Sequence, residues 1–221
     1  MKNRIGWMRR PFLTCGFLLA AIAVLAEPRN LSALKQEIIT YVDSGDYGRE
    51  LETVVARAMK WIQERAAQRV PGERPTLVLD IDETALSNLP QMLANDFGYT
   101  PPVWDAWVAR GEAPAIGPVL ALYRAARQAG VEMIFISGRR ERDRPGTEKN
   151  LRAAGYADYA ALLLKPDATK DTTEKFKTDT RRKLVAAGRV IIANVGDQES
   201  DLAGGFAERA FKLPAPFYIT Q

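Results

Sequence analysis

The chain has 221 residues, 47% of them hydrophobic, with 31 basic and 27 acidic side chains, a single cysteine and no histidine. That length and apolar content suit one substantial core with an appendage. The missing histidine excludes a Ser-His-Asp triad, a phosphohistidine route and a His-ligated zinc site, so chemistry falls to carboxylates, lysine, hydroxyls and a hard, oxygen-preferring metal.

The first residues read as an export signal. Lys2, Arg4, Arg9 and Arg10 precede an apolar run from Pro11 to Ala26, and Val24-Leu25-Ala26 before Glu27 offers a small-residue cleavage site. The run is shorter than the ~20 residues of a spanning helix, so cleavage near Ala26 and a periplasmic or secreted product are expected, without a stable membrane anchor. Cys15 lacks the setting of a lipid attachment site, and its removal with the leader would leave no cysteine nucleophile. Without the leader the basic residues fall from 31 to 27, equal to the acids, which leaves no basic patch to argue for nucleic acid. No segment speaks to an oligomeric state.

The expected mature domain, residues 27–221, starts with a helical region over 27–70, interrupted by the turn-like Ser44-Gly45-Asp46. Leu51, Val54, Val55, Ala58, Met59 and Ile62 fall on one face at helical spacing, a packing stripe. Pro71-Gly72 and Pro75 close this region. The stretch TLVLDIDETALSN, residues 76–88, then runs an apolar strand into Asp80 and Asp82, which an extended chain places on one face. Two carboxylates so close call for a cation or a proton. Thr84 reads as a turn hydroxyl.

Residues 89–117, rich in proline, glycine and aromatics, are expected to fold over the site as a small cap. Trp104 and Trp107 either stack on a substrate or pin the segment to the core, with packing the favoured reading. Beyond it, helices over 118–129, 147–154 and 174–187 alternate with apolar strands over 131–136, 161–164 and 189–195, with a short fifth strand at 210–213. This alternation predicts an α/β, Rossmann-like fold: a parallel sheet flanked by helices on both faces, with N-terminal helices and a small helical cap. In such sheets ligands gather beyond the carboxyl ends of the strands, which places Asp80 and Asp82, Ser137 and Gly138, and Asp197 and Asp201 around one crevice.

DIDET at 80–84, SGR at 137–139, Lys177 in FKTDTRR and GDQESD at 196–201 resemble the four ordered motifs of the haloacid dehalogenase superfamily. DIDETALSN, FISGRRE and FKLPAPFYIT are similar, more narrowly, to its secreted acid phosphatase branch, subfamily IIIB, which takes in bacterial nonspecific acid phosphatases and plant vegetative storage proteins. The resemblance implies a Mg²⁺-dependent phosphomonoesterase acting on a small-molecule phosphomonoester. It assigns Asp80 as nucleophile and Asp82 as general acid and base. Mg²⁺ would be held by Asp80, the Asp82 carbonyl and Asp197, with Asp201 behind them. Ser137, Gly138 and Lys177 would bind the phosphoryl group, while Arg139 would approach substrate or pair with an acid. Lys165 is the fallback for Lys177. The rival readings are a non-catalytic storage or phosphate-ligand-binding protein of the same fold, and a phosphoacceptor signalling domain.

Overall fold

The computed structural model describes residues 27–220, and the expected export signal, residues 1–26, lies outside them. Five strands, β1 (Pro75–Leu79), β2 (Glu132–Arg140), β3 (Ala161–Lys165), β4 (Val190–Gly196) and β5 (Ala210–Lys212), form one sheet. All neighbours are parallel and the order is β3-β2-β1-β4-β5. The chain builds outward from β1 to β3, then returns to lay β4 on the free side of β1. That reversal opens a crevice beyond the carboxyl ends of β1 and β4.

Eight helices accompany the strands among the described residues: α1 (Leu31–Asp43), α2 (Asp46–Ala67), α3 (Leu89–Ala94), α4 (Pro101–Arg110), α5 (Gly117–Gln128), α6 (Arg144–Ala153), α7 (Thr173–Ala186) and α8 (Glu199–Leu202). None is long and apolar enough to cross a membrane. Local chemistry sets their ends. Asn30 caps α1, its side chain accepting from the Ser32 N–H at 2.9 Å, and Thr172 caps α7, accepting from the Lys175 N–H at 3.1 Å. Gly45, at φ 79°, takes the left-handed turn that separates α1 from α2.

Strand alternation sorts the core onto two faces. Leu77, Leu79, Met133 and Phe135 join a large cluster with Leu51, Val55, Ala58 and Ile62 of α2 and Val119 and Leu122 of α5. Val78, Ile134 and Ile136 face the other way, toward Leu184 and Phe176 of α7. Trp61 fixes α2 to the sheet by donating its indole N–H to the Ile192 carbonyl at 2.7 Å. The period of two therefore carries Asp80, the next residue on the Val78 side, toward α7.

Three boundaries differ from the sequence expectation. Strand β2 continues through Ser137-Gly138-Arg139, where its register with β3 shifts in a bulge between Ser137 and Arg140. A 3₁₀ turn over Glu141–Asp143 and Pro145 in the first turn start α6 at Arg144 instead of Thr147. The GDQESD segment, assigned no element from the sequence, contains the one-turn helix α8. Residues 89–117 fold largely as α3 and α4, joined through Asp96 and Phe97 in the left-handed region at φ 48° and 58°.

Candidate active site

A cavity of about 440 Å³ opens at the crevice. Its polar lining includes Asp80, Asp82, Arg139, Lys177, Asp197 and Asp201, side chains drawn from the ends of β1, β2 and β4 and from helices α7 and α8. Residues of 89–117 supply an aromatic wall, Phe97, Tyr99 and Trp104, and the C-terminal tail supplies Phe217 and Tyr218.

Three buried carboxylates, Asp80, Asp197 and Asp201, each bring one oxygen within 4.8 Å of the others. Asp80 follows β1 and Asp197 follows β4. Asp201 reaches the group from α8 because Gly196, at the end of β4, has no side chain: a Cβ there would lie 2.4 Å from Asp201 Oδ2. Lys177 is the counter-charge, donating to Asp80 Oδ1 and to Asp201 Oδ1 at 2.6 Å. Asp201 Oδ2 accepts the Gln198 backbone N–H at 2.9 Å, and Gln198 Nε2 donates to Asp197 Oδ2 at 2.6 Å. One lysine against three carboxylates leaves excess negative charge in a buried site. Hard oxygen donors so arranged fit a divalent cation.

The electrostatics follow from this crowding. Burial and then the Asp201 charge push Asp80 well above the usual carboxylate range, against the opposing pull of Lys177. Asp197 rises for the same two reasons. Burial works against the charge on Lys177, but Asp201 and Asp80 outweigh it and raise the ammonium above its ordinary value.

Asp82 takes a different course. Strand β1 ends at Leu79, so Asp80 and Asp82 do not continue one extended face. Glu83 adopts φ 53°, a strained value for a residue with a side chain. The Asp82 carboxylate meets Arg139, whose Nη2 donates to Oδ1 at 2.6 Å and whose Nε lies 3.1 Å from both oxygens. Burial opposes ionisation of Asp82, yet the Arg139 charge and hydrogen bonds from Arg139 and Asn88 hold its carboxyl below the usual value. Of the two expectations for Arg139, the structure shows the pairing with an acid. The guanidinium carbon also lies 5.7 Å from the centre of the Trp104 ring.

Further placements bear on the sequence reading. Ser137 is fully buried and does not line the cavity; its hydroxyl accepts the Arg139 N–H at 3.1 Å. Gly138 lies on the cavity wall against Thr173. Lys177 lines the cavity and Lys165 does not. Thr84 Oγ1 lies 3.4 Å from Asp197 Oδ1, a hydroxyl steadying a carboxylate as its turn position suggests. Trp107 is buried and gives its N–H to Asn88 Oδ1 at 2.8 Å, whereas Trp104 faces the cavity.

Sequence reasoning missed two buried charges. Arg181 of α7 has no exposed surface and donates to the carbonyls of Asp201 at 2.6 Å, Gly205 at 3.0 Å and Ala203, holding the loop behind the acidic cluster. Glu83 accepts the Asn88 N–H at 2.5 Å, Asn88 Nδ2 at 3.1 Å and the Tyr218 hydroxyl at 2.8 Å. Burial and then the Asp82 charge push Glu83 up from 4.5 to about 7. A carboxyl raised by folding binds its proton more tightly folded than unfolded. Its stabilisation is complete below the unfolded value of 4.5 and is lost as pH rises through about 7. Metal-free protein is therefore expected to melt lower at ~pH 8 than at ~pH 5, with Glu83→Gln removing ~3 kcal/mol of that dependence. Thermal melts across this range check it, and an unaltered slope in the variant would overturn it.

Residues 20–221 match the model of the HAD superfamily, subfamily IIIB (acid phosphatase). The chain is 35% identical over 204 residues to acid phosphatase 1 of Solanum lycopersicum, covering 88% of this chain and 80% of that protein. It is 34% identical over 188 residues to the stem 28 kDa glycoprotein of Glycine max, covering 82% and 72%. The fold is similar to that of the class C acid phosphatase from Bacillus anthracis with tungstate bound, at a TM-score of 0.68 and 24% identity over 84% of this chain and 86% of that one. The chain belongs to the subfamily IIIB acid phosphatases of the HAD superfamily and is a phosphoric monoester hydrolase.

Proposed function

We propose that this subfamily IIIB acid phosphatase is an exported, Mg²⁺-dependent enzyme that hydrolyses nucleotides or other small organic phosphates through an aspartyl-phosphate at Asp80. One observation carries the reading: the buried cluster of Asp80, Asp197 and Asp201 opens on the same cavity as Asp82.

Asp80 Oδ1 is taken by Lys177, so Oδ2 is the oxygen free to attack phosphorus. In the reactive form Asp82 carries a proton against the pull of Arg139; an Oδ2–P bond forms as the ester P–O bond breaks, and Asp82 gives that proton to the leaving oxygen. Asp82 then takes a proton from water as that water attacks phosphorus, the Oδ2–P bond breaks and inorganic phosphate departs. Arg139 keeps Asp82 in place throughout. The Gly138 N–H and Lys177 face the phosphoryl oxygens, and Ser137 shapes the bulge that presents Gly138. Asp80, the Asp82 carbonyl and Asp197 would hold Mg²⁺, with Asp201 fixing them from behind. When bound, the ion supplies the positive charge that lets an anionic ester approach a carboxylate.

The cavity admits a small leaving group, and residues 89–117 act as the cap that chooses it. Exhaustive chelation is expected to abolish hydrolysis of an aryl phosphate by the full chain, with Mg²⁺ restoring it. A rate indifferent to chelation would refute the metal dependence, and absence of turnover under every metal condition would favour the storage reading. A panel of nucleoside monophosphates, sugar phosphates and aryl phosphates reads the leaving-group preference.

A further inference from the structure

We propose that Asn88 is a positioning residue that fixes which oxygen of Asp82 exchanges protons with the leaving group, with Trp107 of α4 fixing Asn88 in turn. The inference rests on the assignment of Asp82 as general acid.

Asn88 is 1% exposed, and its side chain is held from two sides. An indole N–H can only donate, so the contact from Trp107 Nε1 at 2.8 Å identifies the Asn88 oxygen. Its nitrogen must then face the acids, and it does, lying 2.8 Å from Asp82 Oδ1 and 3.1 Å from Glu83 Oε2. The backbone is fixed as well: the Asn88 N–H donates to Glu83 Oε1 at 2.5 Å, and its carbonyl accepts the Met92 N–H at 3.0 Å. No rotamer or amide flip keeps these contacts.

This anchoring makes the two oxygens of Asp82 unequal. Oδ1 accepts Asn88 Nδ2 at 2.8 Å, Arg139 Nη2 at 2.6 Å and Arg139 Nε at 3.1 Å. Oδ2 accepts only Arg139 Nε, at 3.1 Å. A carboxylate oxygen with three donors has no lone pair to spare for a proton, whereas one with a single long contact does. Proton transfer therefore runs through Oδ2. Arg139 already biases the choice, because its Nε is equidistant from both oxygens while its Nη2 reaches only Oδ1. Asn88 adds the contact that confines Oδ1, and Trp107 transmits the position of α4 to it.

A general acid matters most where the leaving group is a poor one. Nitrophenolate leaves with little protonation, while an alkoxide needs the proton. Asn88→Ala in the full-length enzyme is expected to lower kcat/KM for a simple alkyl phosphate by about 10- to 100-fold, and for p-nitrophenyl phosphate by about tenfold less. Inhibition by inorganic phosphate should keep its constant, because the phosphoryl contacts are untouched. Trp107→Phe retains an aromatic ring and loses the N–H donor together with part of the indole; it should shift the same ratio in the same direction, by about threefold. That variant keeps the test available if Asn88→Ala folds poorly.

Asp82→Asn measured alongside separates the two levels of inference. If Asp82→Asn discriminates between the esters and Asn88→Ala and Trp107→Phe slow both equally, or weaken phosphate inhibition in parallel, the positioning role is overturned alone. If Asp82→Asn itself fails to discriminate, the assignment of Asp82 falls and this inference falls with it.

Discussion

Asp80→Asn is expected to lower kcat for an aryl phosphate by about 10⁴-fold or more, while leaving the metal-free protein at least as stable as the wild type. An amide of the same shape keeps an oxygen for Lys177 but cannot form the acyl phosphate, so the loss falls on chemistry. The stability half follows from the site's charge. Burial and the Asp201 carboxylate already push the Asp80 carboxyl upward, so replacing it with a neutral group relieves repulsion. Steady-state kinetics and a thermal melt at neutral pH check both halves. Turnover near the wild-type rate would sink the covalent mechanism, and a marked fall in melting temperature would show that the Asp80 charge holds the fold together.

The strands were legible in the sequence because their chemistry is local. Apolar runs such as VEMIFI and LLL have no other stable place than a sheet covered on both faces, and Gly130, Gly155 and Gly188 end the helices before or between them. The site was legible where a motif fixes a side chain through its own strand, as for Asp80 after β1 and Asp197 after β4. It was illegible where partners arrive from far along the chain. Glu83 reads as one more acid in a turn, yet Asn88 and Tyr218, 135 residues further on, bury it. On α7, Lys177, Arg181 and Leu184 share one buried face, but a search for apolar periodicity registers only the leucine. Arg181 is buried by carbonyl groups, which every residue possesses and no sequence pattern marks. At Ser137 the SGR stretch marks the strand end but not the bulge in β2, which sets its hydroxyl against the Arg139 N–H and Gly138 at the wall.

Lys177→Met should show how far one buried cation supports both the fold and the reaction. The side chain is 3% exposed and sits between Asp80 and Asp201. Removing one partner of a buried pair strands the other, which commonly costs about 3–5 kcal/mol. The metal-free variant is therefore expected to lose about that much stability at neutral pH, and kcat should fall by about 10²- to 10⁴-fold as a phosphoryl contact disappears. The sign of the pH response is fixed by the carboxylates left behind. With Lys177 gone, protonation relieves their repulsion, so the deficit should shrink as pH falls from ~7.5 to ~5. Saturating Mg²⁺ should shrink it too, since an ion that binds only the folded acidic cluster stabilises that state. Urea titrations at the two pH values, with and without Mg²⁺, separate these effects. A deficit indifferent to both protons and metal would mean that Lys177 supports the fold by packing alone, and that the acidic cluster does not need its charge.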